Sequence, residues 1–163
     1  MKVTRIDIGP QHTEIGTADG GLVLALGSAA TADAYFHHAP PTPTELERAI
    51  DAVEDEVMRA RTLIRDGSVL VASGSSMSEV ASAVGALGAA EAVTLDAVEQ
   101  LFQRLASASL GQPIARRGLP ESNRFAATVL ILREFMHHLG FASVSFAAAS
   151  RSTGQREPPA VSS

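Results

Sequence analysis

The chain has 163 residues, a formal net charge of −5, 45% hydrophobic residues, only 4% aromatics and no cysteine. That length suits one domain with an aliphatic, alanine-rich core. The composition excludes a disulfide framework, a thiolate nucleophile and a cysteine-ligated zinc, and the acidic balance opposes a nucleic-acid surface, which needs a clustered basic face.

The first third reads as a β meander. Val3-Thr4-Arg5-Ile6-Asp7-Ile8-Gly9 is a strand that ends in an acid and a glycine. Thr13 to Thr17 is a second short β run, and Asp19-Gly20-Gly21 is a strong hairpin signal before a third, Leu22 to Gly27. Met1 leads directly into strand-like sequence, with no charged segment ahead of an apolar one, so no signal peptide is expected. No apolar run approaches the ~18 residues of a membrane span. The expectation is a cytoplasmic protein with neither membrane nor nucleic acid as a partner. From Ser28 to Pro41 the pattern is ambiguous: the alanines allow a helical turn, and Pro40-Pro41 ends anything regular.

A helix follows. Thr42 suits the N-cap, Pro43 the first helical position, and Glu45 completes a capping box. Leu46, Ile50, Val53 and Val57 form one apolar stripe, and Asp66-Gly67 stops the helix. Ser68 to Ala72 reads as a short buried strand. Ser73-Gly74-Ser75-Ser76 then precedes helix-compatible sequence from Glu79 to Leu87, a generic anion-binding arrangement of strand, small-residue loop and helix start. Gly88 to Val93 reads as a linker. Thr94 caps another helix bearing Leu95, Val98, Leu101, Phe102 and Leu105, and Arg116 to Pro120 is a turn. The last helix, about Glu121 to Leu139, has few polar positions and should be the most buried. Gly140 ends it, and Phe141 to Phe146 reads as a final strand. From Ser150 the composition predicts a disordered tail, leaving residues 1–149 as a single domain.

Several blocks occur in a telling order. Asp7-Ile8-Gly9-Pro10-Gln11-His12-Thr13-Glu14 is followed by Leu26-Gly27-Ser28, then by Phe36 and Pro40-Pro41-Thr42-Pro43-Thr44-Glu45-Leu46. Gly74-Ser75-Ser76 comes next, then Gly118-Leu119-Pro120 with Arg124. In this order they resemble the C-terminal lobe of the exopolyphosphatase / guanosine-pentaphosphate phosphatase (Ppx/GppA) family, of the actin–sugar kinase–Hsp70 ATPase superfamily. The resemblance covers about residues 5–149. It implies an α/β fold, a ribonuclease-H-like/actin-like ATPase lobe. The expected sheet is mixed and five-stranded, a three-strand antiparallel meander plus two parallel strands, with helices on both faces.

The resemblance also implies a chemistry. In the family a phosphoanhydride chain lies in a cleft between two lobes, held by backbone N–H groups, small hydroxyls and usually Mg²⁺. A glutamate activates the attacking water. Carried over, it makes Asp7 and Glu14 the catalytic candidates and Asp7 the metal ligand. The phosphate-binding candidates are Gly9, His12, Thr13, Gly27, Ser28, Gly74, Ser75 and Ser76. Mg²⁺ is the implied cofactor, polyphosphate or a guanosine polyphosphate the implied ligand, and a first-lobe chain or a second copy the implied partner. Each residue has a plainer reading. Asp7 can cap a turn, Thr13 and Glu14 can be a solvent-facing pair, Gly27 can serve a turn, and Ser75 or Ser76 can cap a helix. His37-His38 and His137-His138 invite a metal, but adjacent residues point apart. Arg116, Arg117 and Arg124 can attract an anion or be solvated turn charges.

The departures matter as much. The family's first lobe, with its catalytic glutamate, lies ahead of the Asp-Ile-Gly block, so it is not expected here. Pro10 replaces a glycine and removes an N–H donor. Gln11 and His12 add side chains to the loop, and Ser75 replaces another glycine. The family's acid-bearing closing block is reduced to Ala147-Ala148-Ala149-Ser150-Arg151-Ser152. The expectation is a phosphatase-like lobe with impaired or no catalysis, or else an anion-sensing or dimerising module.

Overall fold

Alternation in the first strand sets the sheet's two faces. In β1 (Val3–Ile8), Thr4, Ile6 and Ile8 are buried while Arg5 and Asp7 are exposed, the period-two pattern of a strand with one covered face. The protein is described by a computed structural model covering residues 2–74, 76–85, 92–112, 115 and 117–147. After β1 come β2 (Thr13–Thr17), β3 (Gly20–Leu24), α1 (Ser28–Tyr35) and α2 (Pro43–Val57), which tightens into a 3-10 segment, Met58–Leu63. Then follow β4 (Val69–Ser73), α3 (Met77–Ala83), β5 (Val93–Thr94), α4 (Leu95–Ser109), α5 (Asn123–Leu139) and β6 (Ser143–Phe146). Ser75, residues 86–91 (which include the start of the expected linker), Arg116 and the tail from 148 onward lie outside the described residues.

The strands form one sheet in the order β3-β2-β1-β4-β6-β5. The first three are antiparallel neighbours, and β4 and β6 continue the sheet parallel to β1, as expected. Two details differ from the sequence reading. A sixth strand exists: Val93 pairs with Val144 and Thr94 with Ser143, antiparallel, where a linker is expected. Two residues are too few to show a periodicity, so only the tertiary pairing makes this strand visible. The second correction is that the described helices lie on one face, not both. Helix α5 touches α1, α2, α3 and α4, so all share its side. The connections from β3 to β4 and from β4 to β6 step in the same direction across the sheet, and equal-handed crossovers then fall on the same face. Among the described residues, the other face presents Arg5, Asp7, Glu14, Val23 and Val69 to solvent.

Helix α5 is the centre of the core. Every residue from Phe125 to Leu132 is buried, as are Phe135 and Met136. Ser122 caps it by accepting from the N–H groups of Arg124 and Phe125, and Gly140, at φ 80°, closes it in the left-handed conformation. Phe135 stacks on Phe141 with ring centroids 5.8 Å apart. The ambiguous stretch after the meander resolves into α1, which packs on α5. Helix α3 starts earlier than expected because the Gly74 carbonyl accepts from Met77 N at 3.1 Å.

The capping box of α2 extends into a larger junction. Glu45 N donates to Thr42 Oγ1, and Thr42 N donates to Glu45 Oε1 at 3.0 Å. The second oxygen, Oε2, takes His38 Nδ1 at 2.8 Å and His37 N at 3.2 Å. Asn123 Nδ2, at the start of α5, donates to the His38 carbonyl at 2.9 Å, so one carboxylate and one amide tie α1, α2 and α5 together. Burial pushes the Glu45 carboxyl up, but its bonds to the His38 ring and to the Thr42 and His37 amides outweigh this and hold it at about 2, against an ordinary 4.5.

A carboxyl depressed in the fold contributes stability above its unfolded value and loses it as pH falls through the folded one. The native protein should therefore lose stability between pH 4.5 and about 2. Glu45→Gln should start less stable at neutral pH and fall less across that window, as read by urea midpoints. Parallel curves for the two proteins would contradict the assignment.

Candidate functional site

The site is built at the carboxyl end of β1. Asp7 stands opposite Glu14 on β2, and Asp7 pairs in parallel register with Ser73 on β4. Alternation places both carboxylates on the helix-free face, where both are exposed. Ser73 Oγ donates to Asp7 Oδ2 at 3.2 Å. Like charges directly opposite each other across a strand pair are unfavourable. Asp7, Gly9, Pro10, Gln11, His12 and Glu14 line an open cavity of about 330 Å³, and of these six His12 is the residue able to carry positive charge. Two carboxylates beside solvent are oxygen donors of the kind a hard divalent cation takes, with water or phosphate oxygens completing its shell. Asp7 and Glu14 are therefore the two carboxylates of this cavity with the donor chemistry to hold Mg²⁺.

The β1–β2 turn that walls the cavity is fixed from below. Gly9 N donates to the His12 carbonyl at 2.9 Å, closing the turn. The Gly9 carbonyl then accepts from Ser28 N, and the Pro10 carbonyl from both Ala29 N and Ala30 N, each at 2.9 Å. These are the first N–H groups of α1, which in a bare helix end face solvent or an anion. Here the turn's own carbonyls occupy them. Gly27 makes the contact sterically possible: a Cβ there would lie 2.3 Å from the Pro10 oxygen. Gly27 and Ser28 are thus buried beneath the turn rather than facing the cavity. Thr13 lies on the covered face, 0% exposed, with its hydroxyl donating to the Leu26 carbonyl at 2.9 Å.

The β4–α3 junction approaches from the side. Gly74 has φ 129°, and a Cβ on it would fall 2.3 Å from the Ile8 oxygen, so glycine lets the two strand ends lie together. Ser76 occupies the N-cap position of α3 without a capping bond from its side chain, and Ser75 is outside the described residues. The structure thus brings Asp7, Gly9, His12 and Glu14 to one cavity and sets Thr13, Gly27 and Ser28 beneath it. Sequence reasoning missed Ser73 as a partner of Asp7. Its only signal is its place at the end of a strand, and the pairing depends on a parallel register that no local pattern encodes. Arg124, exposed at the start of α5, is not among the cavity residues.

No protein-family model matches the sequence, and no curated protein matches it. Solved structures do. The Aquifex aeolicus PPX-GPPA enzyme superposes with a TM-score of 0.71 at 15% identity, covering 90% of this chain and 53% of that one. The crystal structure of the type II variant of the Aquifex aeolicus Ppx/GppA phosphatase gives 0.72 at 16% identity, covering 90% and 53%. An exopolyphosphatase-like protein gives 0.62 at 11% identity, covering 90% and 54%. This chain therefore has the fold of a Ppx/GppA phosphatase and spans about half the length of those structures.

Gly27→Ala forces a methyl group against the Pro10 carbonyl. It should destabilise the protein by about 1–3 kcal/mol, the usual range for overpacking, and raise hydrogen exchange at the Ser28, Ala29 and Ala30 amides. Unchanged exchange at those amides would show that the turn does not depend on this close approach.

Proposed function

We propose that the chain is a Ppx/GppA phosphatase-like lobe that binds a phosphoanhydride chain through Mg²⁺ held by Asp7 and Glu14, with little or no hydrolysis by itself. One observation carries this reading: two exposed carboxylates meet across β1 and β2 at the end of the sheet, beside a turn whose peptide groups are already committed. Likeness in fold to phosphatase structures supports the ligand class.

The residues divide the work by their chemistry. Mg²⁺, when bound, neutralises phosphate charge and polarises the phosphorus–oxygen bonds. Asp7 and Glu14 hold it from two strands, and Ser73 orients Asp7 by its hydroxyl. His12, exposed at the rim, can donate to a phosphate oxygen. Three features weaken anion binding by the protein alone. Pro10 has no N–H, Gly9 N–H is spent inside the turn, and the α1 amides are occupied by carbonyls. The preorganised donors that stabilise a transferring phosphoryl group are therefore few. Substrates of this class are polyphosphate or guanosine pentaphosphate.

The same features favour a second reading, a pseudo-phosphatase lobe that senses an anion or associates with a partner. The uncovered sheet face carries Val23 at 53% and Val69 at 43% exposure, which a first-lobe chain or a second copy would bury.

Calorimetry with the purified chain should show polyphosphate binding that requires Mg²⁺ and weakens at least about tenfold in Asp7→Asn, the loss expected when a charged ligand is removed. Phosphate release should stay at background. Rapid release abolished by Asp7→Ala would overturn the impaired state, and no Mg²⁺-dependent binding would overturn the ligand class.

A further inference from the structure

A second group of metal-ligating side chains lies on the helical layer, away from the carboxylate pair. Glu134 and His138 sit one turn apart on α5, and Glu54 reaches them from α2. His138 Nε2 is 3.0 Å from Glu134 Oε1 and 3.7 Å from Glu54 Oε2, and one donor atom from each of the three residues falls within 4.8 Å of the others. The position is at the opposite end of the sheet from Asp7. Helix α5 leads directly into β6, which runs parallel to β4 and β1, so the end of α5 lies where those strands begin.

We propose that Glu54, Glu134 and His138 form a binding site for a zinc-class divalent cation that clamps α2 to α5. A tetrahedral ion with bonds of about 2.0–2.2 Å to nitrogen and oxygen sets its donors roughly 3.3 Å apart. The two distances at His138 straddle that separation. The donor set, one imidazole and two carboxylates with the fourth position left to water, is one that zinc accepts and magnesium does not favour, because a hard cation takes oxygen ligands.

The surroundings support a cation. Glu134 is only 2% exposed, so its charge must be compensated locally. Arg133 Nη1 donates to Glu134 Oε2 at 2.6 Å, which leaves Oε1 directed at His138. The same arginine also binds Glu99, through Nε at 2.6 Å, while its guanidinium stacks over Phe102 with 4.4 Å to the ring centre. One guanidinium therefore faces Glu99 and Glu134 while Glu54 adds a third carboxylate, so Arg133 alone does not balance the three carboxylates and a bound cation would add to the compensation. Arg133 also fixes the orientation of the Glu134 carboxylate, the role that outer partners play around bound metals.

Without metal, a neutral His138 must keep its proton on Nε2 to donate to Glu134. Metal binding requires Nε2 free, so the proton moves to Nδ1, or leaves to solvent if the ring was doubly protonated. A plain ion-pair cluster involves no such change. This gives a signature distinct from packing.

The test is a zinc titration of the intact chain, followed by calorimetry and by ring-nitrogen NMR of the histidines. One equivalent of Zn²⁺ should bind, raise the melting temperature, and move the His138 Nε2 signal to the metal-bound range with the proton on Nδ1. Mg²⁺ at the same concentration should do neither. His138→Ala should weaken zinc binding on the order of 100-fold. Glu54→Gln, a change at a partly exposed residue that leaves the core intact, should weaken it at least about tenfold, and His137→Ala should not alter it. Absence of 1:1 zinc binding would overturn the proposal. So would zinc affinity unchanged in both His138→Ala and Glu54→Gln, since the ion would then sit on other histidines. Asp7→Asn should leave zinc binding intact, so this result stands or falls apart from the phosphate site.

Discussion

Helix α1 begins under the β1–β2 turn, with the Gly9 and Pro10 carbonyls seated on the N–H groups of Ser28, Ala29 and Ala30. Much else follows from this contact. It satisfies amides that would otherwise be orphaned at a buried helix start. It requires Gly27, because any side chain there meets the Pro10 carbonyl. It also fixes the turn, and with it the separation of Asp7 and Glu14 on either side. The same bonds that order the site remove the most obvious anion-binding groups from it. Under the proposed function, phosphate recognition then passes through the carboxylates, which repel phosphate unless a cation lies between them.

The rest of the fold holds that arrangement in place. Both parallel crossovers return on one side of the sheet, where α5 provides a buried surface for α1, α2, α3 and α4. Helix α1 is held by this packing at one end and by the turn at the other. The Glu45 junction fastens the chain leaving α1 to the starts of α2 and α5. Among the described residues, the other face is left to Arg5, Asp7, Glu14, Val23 and Val69, so the structure separates a packed helical side from an exposed one.

Much of the fold was legible in the sequence because its signals are local. The Thr42–Glu45 box, the Thr94 cap, the αL glycine at 140 and the apolar run of α5 each rest on neighbouring residues. What escaped is non-local. Strand β5 exists only through its pairing with β6, and the one-sided helical layer follows from strand order, which local periodicity does not state. That Asp7, Gly9, His12 and Glu14 lie beside one cavity was legible because they cluster on one hairpin. Thr13, Gly27 and Ser28 are close to them in sequence but point beneath the turn, a distinction set by strand alternation and by the seat on α1. Ser73 and the Glu54–Glu134–His138 group required knowledge of which elements touch.

The central claim is that phosphate approaches this lobe through metal-bridged carboxylates, not through the amides at the start of α1. The most direct measurement is an amide-resolved NMR titration with polyphosphate, with and without Mg²⁺. The account predicts shifts confined to Asp7–Glu14 and to Ser73–Gly74, appearing only when Mg²⁺ is present. Shifts at Ser28, Ala29 and Ala30, or equal shifts without Mg²⁺, would contradict it.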